Sequence, residues 1–316
     1  MLGRIMETII NIVFPVFGIV LTGYLAGRFG ILGTAAASAL NRFIFFIALP
    51  PLLFTFTARA PVAEVLNWPF IGVFLGGTVL TLAVALVAGR IFFGHTPAAA
   101  IVHGLAAVFA NTVYMGIPLF MTAYGPGGTM PAIVASLCNL IVIGTVIAAI
   151  DVVSSDSVTI RKILCDTLMS FARNPLLMAA LGGIAFSFAG FSIPKPAENY
   201  LDLLGAAAGP TALFAMGLSL FGQPLRADMH EVGWLVIAKL LIHPALVWLL
   251  AVYVFALDTG TMKAAVFLAA LPSGALVYVV AQRFDILVAR TSAAIVVSTA
   301  ISVITVSTLL VWLFNG

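Results

Sequence analysis

Apolar residues run from residue 8 almost to the end of the chain, interrupted at intervals by one or two charges or by Gly/Pro-rich steps. A helix rising 1.5 Å per residue needs about 20 such residues to cross a hydrocarbon core. Marking the interruptions predicts ten spans, at 8–27, 37–57, 70–92, 98–121, 131–150, 174–190, 200–221, 232–255, 262–282 and 290–313. The longest hydrophilic interval, "DVVSSDSVTIRKILCDTLMSFARN" at 151–174, divides them five and five. The expected class is therefore an all-α polytopic membrane protein. Its parts are a first five-helix repeat over 1–150, a loop over 151–173 and a second repeat over 174–316. The first apolar run reads as a retained helix, since it ends at "GYLAGRFG" without a convincing cleavage site.

Two spans carry matched flaws. Span 4 holds "FANTVYMGIPLF" (109–120), with Asn111, Thr112, Gly116 and Pro118 inside an otherwise apolar crossing; span 9 holds "AALPSGALV", with Pro272, Ser273 and Gly274. Proline lacks an N–H and its ring meets the carbonyl four residues back. Pro118 thus frees the carbonyl of Tyr114, and Gly116 absorbs the bend. Residues 98–111 would span about 21 Å and 118–124 about 10 Å, so span 4 is expected to be two half-helices with an unwound segment between them. Half-helices that end inside a membrane present free N–H groups at one end and free carbonyls at the other, which must be met by protein or by a cavity. A plain proline kink in a packed helix is the competing reading for span 4 alone; the matched break in span 9 favours a binding site.

Charge then gives orientation. On one side lie Arg4, Arg59, Lys195 and Lys263; on the other lie Arg28, Arg42, Arg90, Arg161, Lys162, Arg173, Arg226, Arg283 and Arg290, with Lys239 inside a span. The basic side is cytoplasmic by the positive-inside rule, so both termini are expected outside and the central loop inside the cell. Five spans per half mean that the second half enters from the opposite side. The halves also echo each other: "ALPPLLF" and "AGPTALF" align Pro50 with Pro210, Leu53 with Leu213 and Phe54 with Phe214. Inverted repeats with interrupted helices in corresponding places point to a secondary-transporter site.

Composition narrows the classes. Hydrophobic residues make up 63% of the 316 and charged ones 8%, with a mean hydropathy of +1.21; soluble domains carry about 25% charged residues. The net charge of +3 is scattered through short loops and does not describe a nucleic-acid binder. Cys138 and Cys165 show neither metal nor redox spacing. No cofactor or metal is called for, and coupling to a proton or to sodium stays open.

Lys239, the one basic residue well inside a span, either serves the site or snorkels to the interface about five residues from Trp234. His243 precedes Pro244 and caps a kink or faces the site. His103 faces the interface or relays protons. Asn139 reads as a helix–helix hydrogen bond, and Gly23/Gly27 and Gly72/Gly76 as close-packing surfaces. All eleven carboxylates fall in loops or at span ends, which favours an anionic substrate over a cation.

The segments "FPVFGIVLTGYLAGRFGIL", "NRFIFFIALPPLLF", "NTVYMGIPL", "GPTALFAMGLSL" and "LPSGALVYVVAQRF" resemble the auxin efflux carrier family over nearly the whole chain. The resemblance implies ten helices in two inverted five-helix repeats, with crossover helices 4 and 9 broken. It implies a scaffold of helices 1, 2, 6 and 7, a transport unit of helices 3–5 and 8–10, elevator-type alternating access, and a homodimer formed through the scaffold. Asn111 and Pro118 match the family's span-4 motif, Pro272 with Ser273 its span-9 break, and Lys239 a basic position in span 8. The short central loop fits the compact bacterial branch, linked to malonate and other small carboxylates, rather than plant auxin carriers.

The expected substrate-binding set is Asn111, Thr112, Gly116, Pro118, Pro272, Ser273, Gly274 and Lys239, acting on a small organic anion from within a lipid bilayer, the cell inner membrane. A sodium-coupled symporter of bile-acid type and a non-transporting receptor are the alternatives. An intramembrane enzyme is disfavoured, since there is no H-E-x-x-H and no paired intramembrane aspartate.

Overall fold

A computed structural model describes residues 9–154, 160–223 and 227–315. Arg4 and Arg226, used above for orientation, lie outside the described residues. In chain order the helices are α1 (Phe14–Arg28), α2 (Thr34–Phe43), α3 (Leu49–Arg59), α4 (Val62–Val65), α5 (Trp68–Ile91), α6 (Pro97–Val108), α7 (Ile117–Tyr124), α8 (Met130–Ser154), α9 (Ile160–Ala172), α10 (Pro175–Phe188), α11 (Lys195–Ala206), α12 (Ala208–Leu220), α13 (Met229–Ile237), α14 (His243–Leu249), α15 (Thr259–Ala269), α16 (Leu276–Phe284) and α17 (Val288–Asn315). Among the described residues there is no strand. Among the described residues seven helices are long and apolar enough to cross a membrane, or eight if Cys165–Ala172 and Pro175–Phe188 form one bent span. The chain is a multi-pass membrane protein. This count falls short of ten partly because the fourth and ninth apolar stretches are each divided into two short helices.

Four prolines share one local solution. Wide π-type turns at Ile9–Val13, Ile44–Ala48, Thr112–Gly116 and Ala238–Ile242 each end two residues before a proline: Pro15, Pro50, Pro118 and Pro244. The carbonyl four residues before each proline belongs to the middle residue of the turn. Widening the turn moves that carbonyl away from the ring, so the helix continues through the proline rather than ending there. This corrects the expected position of the span-4 break. Helix α6 ends at Val108, Phe109 leaves helical angles at φ −72°, ψ 98°, and helical structure resumes at Thr112. Pro118 lies in the first turn of α7, where its missing N–H costs little.

Of the stretch read as the central loop, 155–159 lie outside the described residues, and most of the rest is helical. Helix α8 runs to Ser154, and α9 occupies 160–172 with Leu168 and Met169 exposed.

The chain parts into two compact units. The first comprises Met1–Asn67, Val113–Val134 and Phe171–Gly222; the second comprises Trp68–Thr112, Ala135–Ser170 and Gln223–Gly316. In the first unit α1 packs on α12, and α3 on α10. Both contacts bring backbone against backbone. A β-carbon at Gly23 would strike the carbonyl of Phe214, and one at Gly217 that of Val20. At Gly183 it would strike the carbonyl of Phe54 and the hydroxyl of Thr57. Small residues at such places let helices approach where no hydrophobic force separates lipid from protein. Thr57 completes the α3–α10 contact by donating to the carbonyls of Leu53 and Ala180 at 2.8 and 3.2 Å. Gly27 likewise faces the ring of Phe221.

In the second unit α5 packs against α6 and α14, and α13 against α17. Here Gly72 and Gly76 face the side chains of Phe255 and Leu250.

Candidate functional site

The second unit brings the two interrupted stretches together. After α6 the chain passes Phe109–Asn111 in extended form; after α15 it passes Leu271–Gly274. They meet antiparallel, paired at Ala110 and Ser273. The main-chain N–H of Asn111 donates to the carbonyl of Pro272 at 2.9 Å, and that of Gly274 to the carbonyl of Phe109 at 2.9 Å. Only glycine fits at 274, since a β-carbon there would lie 2.9 Å from the Phe109 ring. Backbone that has left its helix inside a membrane protein must find new partners, and each stretch supplies them to the other.

Side chains complete the exchange. Asn139, on α8, donates to the carbonyl of Ala110 at 2.9 Å and to the Thr112 hydroxyl at 3.0 Å. Its own Oδ1 is buried without a hydrogen-bond partner among the described residues. Ser298, on α17, accepts from the N–H of Ser273 at 3.2 Å, and the Ser273 hydroxyl donates to the carbonyl of Ala106 at 2.8 Å. Asn111, Thr112 and Ser273 are all buried.

Lys239 does not snorkel. It is fully buried, and its ammonium donates to the carbonyl of Ala269, the last residue of α15. It also lies 3.2 Å from Nδ1 of His243, whose Nε2 lies 3.3 Å from the Thr78 hydroxyl. His243 thus joins a side-chain network instead of simply capping its kink. Carbonyl ends of both interrupted helices therefore meet donors: Ser273 serves α6 and Lys239 serves α15. The N-terminal end of α16 follows the crossing directly, and its dipole favours negative charge. Neither partner of Lys239 is an anion.

Of the expected substrate set, Asn111, Thr112, Pro272, Ser273, Gly274 and Lys239 fall in the second unit, the first five at or beside the crossing. Gly116 and Pro118 fall in the first unit, where Pro118 lies close to Gly209. Sequence reasoning placed Asn139 in a helix–helix contact but not at the break, and it missed Ser298.

A second buried polar group was missed too. Glu231, in the first turn of α13, sits at a span end as expected but is only 1% exposed. Its Oε1 receives Nε2 of His95 at 2.7 Å and Nδ1 of His103 at 2.8 Å; its Oε2 pairs with Nε of Arg290 at 3.0 Å. His103 is fully buried, which overturns the reading that it faces the interface. These donor atoms lie within 4.8 Å of one another. The bonding argues against a cation among them, because both imidazoles turn N–H groups to the carboxylate and Arg290 already balances its charge.

A multi-pass helical chain with two interrupted stretches that meet in its second unit has the construction of a membrane carrier. The comparisons agree: this chain belongs to the family described as membrane transport protein, the auxin efflux carriers, whose profile matches residues 8–311. It is 33% identical over 312 residues to a Rhizobium meliloti protein named "Putative malonate transporter", covering 98% of both chains. It is 26% identical over 297 residues to the Escherichia coli K12 "Uncharacterized transporter YfdV", covering 90% and 91%. A mouse "Lysosomal cholesterol signaling protein" is 32% identical over 256 residues, 73% of this chain but 28% of that one.

Proposed function

We propose that this chain is a secondary carrier for a small organic anion of the malonate class, working by elevator-type alternating access. The observation that carries the anion reading is Lys239. A buried ammonium whose partners among the described residues are a carbonyl and an imidazole lacks the counter-charge that buried ions require, and a carboxylate substrate would supply it. The capped carbonyl ends at the crossing point the same way, leaving helix N-terminal N–H groups and the Thr112 hydroxyl as donors. Asn111, Pro272 and Gly274 shape the backbone there, while Gly116 and Pro118 shape the helix that follows.

The division of labour rests on several supports. The first unit holds α1–α3 and α10–α12, the stretches read as scaffold helices 1, 2, 6 and 7, and the second unit holds most of the remainder. Within the first unit one contact is made twice, with Gly23 on the carbonyl of Phe214 and Gly183 on that of Phe54. Phe54 and Phe214 are the residues that the aligned "PPLLF" and "GPTALF" segments equate, as inverted repeats of five helices require. A homodimer through the scaffold, a cell inner membrane location, and termini outside with the central segment in the cytoplasm belong to the same reading.

The test is counterflow of labelled malonate in proteoliposomes, with and without sodium, against succinate, indole-3-acetate and taurocholate as competitors. Malonate exchange that is independent of sodium and lost in Lys239→Met supports the proposal. Sodium-dependent taurocholate uptake would replace it with the bile-acid type. The mouse relative's name favours a receptor as second reading, and thermal stabilisation by a ligand that shows no counterflow would establish it.

A further inference from the structure

The Glu231 cluster has no task in anion binding, yet it concentrates three ionisable groups in one buried place within the second unit. Its hydrogen bonds fix the tautomers. One carboxylate oxygen can accept from both imidazoles only if His95 carries its hydrogen on Nε2 and His103 on Nδ1. Glu231 and Arg290 then cancel in charge, and both histidines are neutral. Among the described residues His103 Nε2 is left buried without a partner, so His103 is a fixed donor. Its side chain is 0% exposed, that of Glu231 1%, and that of His95 7%. Water therefore reaches the trio by way of His95.

Neighbouring elements hold His95 in place. Its N–H donates to the carbonyl of Gly89, its carbonyl accepts from the guanidinium of Arg90, and Phe93 packs on both imidazoles. The titratable and charged groups facing the carboxylate are His95 and His103, from α6 and its entry, and Arg290 from α17; Arg90, on α5, is bonded to the carbonyl of His95. On α13 itself Asp228 and His230 are exposed, with Asp228 capping the helix.

We infer that His95 and Glu231 form a proton-binding site that couples anion movement to protons, with His103 and Arg290 positioning the carboxylate. Loading balances without moving a heavy atom. Water delivers a proton to Nδ1 of His95, whose Nε2 hydrogen stays bonded to Oε1 of Glu231. The ring becomes an imidazolium facing the carboxylate, while His103 still donates to Oε1 and Arg290 still pairs with Oε2. The gain is one positive charge, carried by His95 beside the Glu231 carboxylate. This inference extends the carrier reading, since coupling has meaning only if an anion moves.

The first test needs no substrate. Infrared difference spectra of the purified protein between about pH 5 and 8 should show an imidazolium band that His95→Gln removes and Glu231→Gln shifts in pH. No His95-dependent band over that range overturns the site. The second test compares malonate uptake with and without an inward proton gradient, taken as a ratio within each variant so that poorer folding cancels. Wild type should show a ratio of about ten and both variants a ratio near one. Malonate counterflow with a wild-type ratio of one would sink the coupling and leave the carrier reading standing. No counterflow of any carboxylate would sink the carrier reading and with it the coupling, while the infrared band would still decide whether the site binds a proton. Where Glu231→Gln fails to fold, His95→Gln at the cluster's edge carries both measurements. Zinc-induced thermal stabilisation that is lost in His95→Gln would make the cluster a metal site and refute the proton assignment.

Discussion

The two units bury different chemistry. Among the described residues the first buries Thr55, Thr57 and Thr129 as its polar side chains, whereas every buried histidine, asparagine, lysine and glutamate lies in the second. The first is held by glycines pressed onto carbonyls; the second faces its glycines with side chains and spends its polar groups on an interrupted backbone. Backbone contact without polar alternatives leaves few other ways to pack. A polar network has several, because hydrogen bonds can be exchanged one for another at little net cost. The two units are thus distinguishable by their buried atoms alone.

The largest effect tests the first unit. Gly217→Leu places a side chain where the carbonyl of Val20 stands, and neither main chain can yield. It should cost about 3 kcal/mol or more and abolish a monodisperse peak in size-exclusion chromatography. Gly18→Ala, with nothing within 4 Å, should change stability by less than about 0.5 kcal/mol. In the second unit Gly72→Ala meets only the Phe255 ring, which is exposed and can swing aside. Its cost and the gain in helix propensity, each about 1 kcal/mol, should nearly offset. Equal damage from Gly217→Leu and Gly72→Ala would erase the contrast.

Lys239→Met asks the second unit for the opposite result. It leaves the Ala269 carbonyl without a donor but removes an unbalanced buried charge, so melting should move by less than about 2 kcal/mol. Uptake should fall at least about tenfold, equivalent to about 1.4 kcal/mol of anion stabilisation. A variant that transports normally would show that Lys239 serves α15 alone.

Smaller again is a matched pair. Asn139→Ala takes two donors from the crossing and should cost about 1 kcal/mol in stability together with a several-fold loss of uptake. Thr57→Val removes the hydroxyl at the α3–α10 contact and should cost about 0.6 kcal/mol with uptake per folded molecule unchanged. Melting curves and counterflow on the same preparations separate the two.

Much of this was legible in the chain because glycine and proline declare themselves. The span-9 break falls at Pro272–Gly274 as expected, and Gly23 and Gly27 pack closely. The span-4 break was misplaced because a proline announces trouble but not its remedy. A wide turn at Thr112–Gly116 absorbs Pro118, and the chain opens at Phe109–Asn111, where its hydrogen bonds are met by residues about 160 positions away. Glu231 was hidden for a related reason. Its partners stand 136 and 128 residues off in sequence, and each resembles an ordinary interfacial residue at the end of a span. Helix α9 was obscured by charge, although its apolar residues at 160, 164, 168 and 171 keep helical spacing.

The smallest prediction separates the two ends of α15. Its carbonyl end is tied to Lys239 inside the second unit. At its other end Asp258 accepts from the N–H of Thr261 at 3.0 Å. The Thr261 hydroxyl, with that N–H, holds this carboxyl below the usual aspartate range. A depressed carboxylate contributes stability that is present above its unfolded value, near 3.9, and lost as pH falls through the folded one. Asp258→Asn keeps a capping oxygen and should cost less than about 0.5 kcal/mol near pH 7; the gap between its melting temperature and that of wild type should close below about pH 4. Uptake near neutrality should be unchanged, because this end of α15 makes no contact with the crossing. An uptake defect in Asp258→Asn would mean that the two ends of the helix act together, and that the polar network reaches further along the second unit than its buried residues mark out.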